Sequence, residues 1–163
     1  MEGVPVRAAL PLAPELEVVA IVPDRNLATP EARGVLPDRF TREDAVFNLG
    51  RMGLLVAGLA NPAALRPAAA EDRIHQAART VLFPEAPRLL AALVEAGALA
   101  ACWSGAGPTL IGFVTADTVE AVRAGAGAAL AEAGMEGRVL SLRPDRRGLV
   151  YGEEAAVPLE GAA

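Results

Sequence analysis

The chain has 163 residues, 53% of them hydrophobic but only 4% aromatic, and carries a formal charge of −5. This length favours one domain with a core of Ala, Leu and Val, while the acidic balance and the scarcity of stacking rings exclude a nucleic-acid partner. All fifteen basic residues are arginine, as in a GC-rich coding sequence, and the lack of lysine excludes a P-loop NTPase, which needs a lysine after its glycine loop.

In chain order, the β-branched run ELEVVAIV at 15–22 reads as a buried strand ending at Pro23. Thr29 and Pro30 then mark the start of a short helix, stopped by Gly34 and Pro37. Thr41 with Asp44 forms a capping-box pattern, and apolar residues at Val46, Leu49, Met52, Leu55, Val56 and Leu59 predict a long, well-buried helix ending near Asn61. A helix is expected from Pro62 to Gln76, followed by a connector and a helix at PEAPRLLAALVEAG with Gly97 as its stop. ALAACW and TLIGFV read as strands. Asp117 or Thr118 then caps a helix that Gly134 ends, RVLSLR is the next strand, and GLVYGE adds a short edge strand. With the inserted helices set aside, this is the βαββαβ order of an α+β, ferredoxin-like antiparallel sheet with helices on one face. The domain is expected to span 1–154, with 155–163 a disordered tail.

Cys102 is the single cysteine, so no intramolecular disulfide forms, and it reads as a small core residue beside Trp103. With one Cys and one His, a zinc site of the Cys/His type is excluded. The first residues lack the apolar run of a signal peptide, and no stretch reaches the roughly 18 apolar residues of a membrane helix. The expectation is a soluble cytoplasmic protein without membrane contact.

Between the two strands lies Trp103-Ser-Gly-Ala-Gly-Pro-Thr109. Gly105 and Gly107 permit positive φ, so the loop is either a plain turn or a nest of N–H groups facing an anion, with hydroxyls at Ser104 and Thr109. His75 is the only histidine and is either structural or part of a cluster with Asp72, Gln76 and Arg79 on one helical face, suited to a small zwitterion or carboxylate. Arg33, in a loop bounded by Pro and Gly, is either solvated or a substrate contact. Asn48 and Arg51 in an apolar helix either tie it to a neighbour or face a polar pocket.

Together VPDRNLATPEARGVLP, DAVFNLGRMGLLVAGL, EDRIHQAAR and VEAGALAACWSGAGPT resemble, in order, the C-terminal half of the homoserine kinases, members of the GHMP kinases. SGAGPT resembles their third glycine-rich motif. The resemblance implies ATP-dependent phosphorylation of the L-homoserine hydroxyl on the way to threonine. It implies that Ser104, Gly105, Ala106, Gly107 and Thr109 lie at the nucleotide, and that Arg33 and Arg79 take the amino-acid carboxylate, with His75 beside them. The family's HQPYR-like stretch here has Ala77-Ala78 in place of Pro-Tyr. No segment resembles the family's main phosphate loop or its acidic magnesium ligand, which belong to the N-terminal half. ATP and Mg²⁺ would thus be bound mainly through that absent half, leaving this chain inactive alone. A truncated half would also expose apolar surface, with the strand at 15–22 at a free edge, favouring self-association into homo-oligomers. The rival expectations are another GHMP kinase, acting on mevalonate or a sugar, and a non-catalytic amino-acid-binding ferredoxin-like module.

Overall fold

The computed structural model describes residues 10–146. In chain order these form β1 (Leu16–Pro23), α1 (Thr29–Gly34), α2 (Arg42–Ala60), two 3₁₀ turns (Pro62–Ala64 and Pro67–Ala70), α3 (Gln76–Arg79), α4 (Ala86–Glu95), β2 (Ala100–Trp103), β3 (Leu110–Thr115), α5 (Val119–Glu132) and β4 (Gly137–Leu142). GLVYGE and the 155–163 tail lie outside the described residues, as does the proposed boundary at 154.

The sheet order is β2-β3-β1-β4 with every neighbouring pair antiparallel, the ferredoxin-like arrangement read from the sequence. One expectation about it is corrected. The strand at 15–22 is not at a free edge, because Val18–Ile21 pair with Leu110–Phe113 of β3 on one side and with Val139–Leu142 of β4 on the other. Its β-branched residues suit this central place, where both faces of a strand are covered.

Val19 and Ile21 of β1 and Leu110 and Val114 of β3 join Leu89 and Leu93 of α4 and Val122 and Ala126 of α5 in the main core. Each fully buried leucine there contributes roughly 1.5–3 kcal/mol. Both helices close with a Schellman motif: Ala98 and Gly97 donate back to Leu93 and Val94, and Met135 and Gly134 to Leu130 and Ala131. Gly97 and Gly134 stop their helices as expected.

The opposite face of the sheet is covered too, so layers lie on both faces rather than one. Ala100 packs there against Leu65, Ala69 and Ala70, with Leu55, Cys102 and Phe113 around them. The segment doing this was expected to be one helix from Pro62 to Gln76. Pro67 prevents that, since it lacks an N–H and forces Arg66 to the extended φ −137°, ψ 156°. At α1 the cap lies one residue earlier than expected, at Ala28, with no side-chain hydrogen bond.

α2 begins at the predicted capping box, Thr41 and Asp44 each satisfying the other's backbone N–H. Its burial was misjudged. Val46, Leu49, Met52 and Leu54 are exposed, and Gly58, pressed against Leu65, is the helix's only buried residue. The helix is apolar around its circumference, so a sequence stripe could not say which side meets the sheet. Leu49→Gln should therefore change the unfolding free energy by no more than about 0.5 kcal/mol in a urea titration. A loss several-fold larger would mean that this side of α2 is covered within the chain.

Candidate functional site

Asp72 is the anchor of the site. Its side chain is 6% exposed, and Oδ1 accepts from the N–H groups of Ile74, His75 and Gln76 at 3.0, 2.5 and 2.7 Å. It thereby caps α3 and competes with helix formation before residue 76. Oδ2 accepts from the Asn48 amide at 2.6 Å, while Asn48 Oδ1 accepts from the Arg73 N–H. Asn48 thus ties α2 to this turn. Burial acts to raise the Asp72 carboxyl, but the N–H groups of Gln76 and His75 and the Asn48 amide outweigh it and hold the group below the usual carboxylate range.

The expected shared helical face of residues 72, 75, 76 and 79 is replaced by this capped turn and one helical turn, yet all four residues meet. Arg79 is 8% exposed. Its Nε donates to the Ala32 carbonyl at 3.3 Å, and its Nη1 donates to His75 Nδ1 at 2.7 Å and to the Gly105 carbonyl at 3.3 Å. A guanidinium can only donate, so Nδ1 of His75 is the acceptor and the ring proton sits on Nε2, 3.5 Å from Asp72 Oδ2. Burial lowers the His75 pKa most, Asp72 opposes it and Arg79 adds to it, with a net value below that of an ordinary histidine. The imidazole is neutral at pH 7.

Arg33 follows Ala32 directly, is exposed, and its side chain forms no hydrogen bond or ion pair among the described residues. Arg79 therefore brings the first arginine's helix, the histidine and the glycine loop together. Of the Arg79 guanidinium nitrogens, Nη2 alone has no partner among the described residues.

In the loop, the Ser104 N–H donates to the Thr109 carbonyl and the Gly107 N–H to the Ser104 carbonyl. Gly105 has φ 59°, Gly107 has φ 85°, and the Gly107-Pro108 peptide is cis. The N–H groups of Gly105 and Ala106 donate to no protein acceptor among the described residues. Ser104 and Gly105 are exposed, and Ala106, Gly107 and Thr109 are half-buried. Gln76, which the sequence reading passed over as a ligand of the loop, holds its entrance: its Oε1 accepts from the Trp103 N–H and its Nε2 donates to the Ala70 carbonyl. Only its place beside Asp72 hinted at this.

A cavity of about 230 Å³ opens between α2 and β2, lined by Arg51, Met52, His75, Cys102 and Trp103 among others. Arg51 pairs with Glu71 at 2.8 Å and stacks on Phe47, so it both ties and lines. Burial pushes the Cys102 thiol up to about 11, which removes it as a nucleophile at neutral pH. A larger cavity, about 630 Å³, lies at the other end of the sheet around Glu15, Glu17 and Arg143 and contains none of the expected site residues. Among the described residues no helix is long and apolar enough to cross a membrane, and no cluster of three His, Cys, Asp or Glu could hold a metal.

The family described as GHMP kinases C terminal matches residues 52–132, which include the C-terminal part of α2, the whole of α3 and the glycine loop. Residues 52–132 belong to the GHMP kinase C-terminal family. The chain is similar to the homoserine kinase of Trichormus variabilis, 42% identical over 132 residues, covering 80% of this chain and 43% of the relative. It is also similar to that of Solibacter usitatus, 44% identical over 112 residues, covering 68% and 36%. Among solved structures it resembles the homoserine kinase of Cytophaga hutchinsonii with a TM-score of 0.76 and 27% identity, covering 83% of this chain and 44% of that one. The chain thus spans less than half the length of the curated relatives it matches.

Proposed function

We propose that the chain supplies the amino-acid-carboxylate arginines and the third glycine loop of a homoserine kinase, a cytoplasmic enzyme on the route to threonine. It would act with an N-terminal half that brings the main phosphate loop and the magnesium ligand, and self-association of the chain without that half belongs to the same reading. The observation that carries the proposal is Arg79, which links the Ala32 carbonyl beside Arg33 to the Gly105 carbonyl of the glycine loop. One buried cation thus joins the substrate side to the nucleotide side.

Arg33 offers a free fork of donors to a carboxylate, and Arg79 adds Nη2 while its other nitrogens hold the scaffold. His75 keeps Arg79 in place. The loop suits a phosphate: the N–H groups of Gly105 and Ala106 are free, and a Cβ built on Gly105 would meet nothing within 4 Å. ATP supplies the phosphoryl group, and Ser104, Gly105, Ala106, Gly107 and Thr109 would position it. Mg²⁺ would be held mainly by the acidic ligand of the N-terminal half together with the nucleotide phosphates.

The test is ADP release by this chain combined with the N-terminal half of a homoserine kinase, with L-homoserine, mevalonate and a hexose offered in parallel. Turnover with homoserine alone is expected. Preference for mevalonate or a sugar would assign another GHMP kinase. Amino-acid binding by the chain alone, unchanged by ATP or the added half, would make it a binding module. In the active mixture Arg33→Ala should raise the KM for homoserine roughly ten- to a hundred-fold, the loss of a charge-assisted contact, with a much smaller change in kcat. An unchanged KM would remove Arg33 from the site.

A further inference from the structure

Asp72, His75 and Arg79 form a line of contacts that ends on the glycine loop. Asp72 is fixed by three backbone N–H groups and by Asn48. It faces Nε2 of His75, Nδ1 of His75 accepts from Arg79, and Arg79 spans the Ala32 and Gly105 carbonyls. We propose that Asp72 and His75 are a positioning pair that holds Arg79 across α1 and the glycine loop, so that the two sides of the site move as one unit. Its use in phosphoryl transfer rests on the homoserine kinase reading, whereas the geometry does not.

Neutrality of His75 is what makes the pair work. Only the neutral ring has a lone pair at Nδ1, and protonation would place a second positive charge against the Arg79 guanidinium at a contact of 2.7 Å. The charged and titratable groups around the ring are Asp72 and Arg79 on its own segment, Arg51 of α2 with its partner Glu71, and the Cys102 thiol of β2 across the cavity. Asp72 favours the charged ring, while burial and Arg79 oppose it. Acidification should therefore break the His75–Arg79 contact and free the loop at a pH below the ordinary histidine value of about 6.5.

Because the chain has one histidine, the Cε1–H signal of its imidazole reports the titration without overlap from another histidine. The experiment is a pH series of proton and ¹H–¹⁵N spectra of the chain, following that signal with the amides of Ala32, Arg33, Gly105 and Ala106. The expected result is one common midpoint below 6.5 for the ring and all four amides. In His75→Asn, whose Oδ1 supplies an acceptor that does not titrate, the amides should stay at their neutral-pH positions throughout. In His75→Ala they should sit at the low-pH positions at every pH. Amides that remain still while His75 titrates would overturn the proposal, as would an alanine variant with wild-type positions. Amides that follow His75 in a chain that transfers no phosphate with its N-terminal half would keep the pair and remove the kinase reading.

Discussion

Phe83→Ala is expected to cost about 3–5 kcal/mol, the largest loss of any single truncation near the site. Phe83 is fully buried, its ring meets Trp103 edge-on at 5.8 Å and 79°, and the Arg25 guanidinium lies 4.8 Å above it. Removing the ring leaves a cavity beneath Trp103 and deprives Arg25 of its stacking face. Domains of this size have total stabilities of about 5–15 kcal/mol, so the variant should be marginal at 37 °C. A urea titration gives the number. A loss below about 1 kcal/mol would mean that Trp103 collapses into the space, and the described packing would then be wrong.

The second large effect belongs to Gly107. Its φ of 85° lies in the left-handed region, and a Cβ there would stand 2.6 Å from Trp103 Cε3 and Cζ3. The backbone cost of an alanine is about 1–2 kcal/mol. Trp103 is 5% exposed and braced by Phe83, so it cannot yield freely, and overpacking should add about 1–3 kcal/mol. Gly105 is the internal control, since it shares a positive φ of 59° but faces open space. Gly105→Ala should lose only the backbone part. Equal losses for the two variants would show that the Trp103 ring does not limit Gly107.

Much of the fold was legible because its signals are local. The capping box at Thr41 and Asp44 and the glycine stops at 97 and 134 involve groups within a turn of one another, and each was found where the pattern placed it. The helix predicted through Pro62–Gln76 failed for a local reason as well, since Pro67 and the carboxylate of Asp72 both act against it. The site was legible as residue types rather than as contacts. His75, Arg79 and the glycine loop were singled out, but a buried arginine that holds two backbone carbonyls and a histidine looks, in sequence, the same as one that meets a substrate.

The sequence by itself determined the βαββαβ order, the start of α2 and the glycine stops of α4 and α5, because periodicity, capping and turn chemistry act over a few residues. It also excluded lysine-dependent and Cys/His-metal chemistry by composition alone. Tertiary structure decided that the strand at 15–22 lies between β3 and β4, that the apolar α2 turns Leu49 and Met52 outward, and that Arg79 closes on Gly105. These depend on contacts between separate segments, 7 residues apart for Gly58 and Leu65 and 26 for Arg79 and Gly105. No local pattern encodes which of several apolar faces, or which carbonyl, such a partner will find.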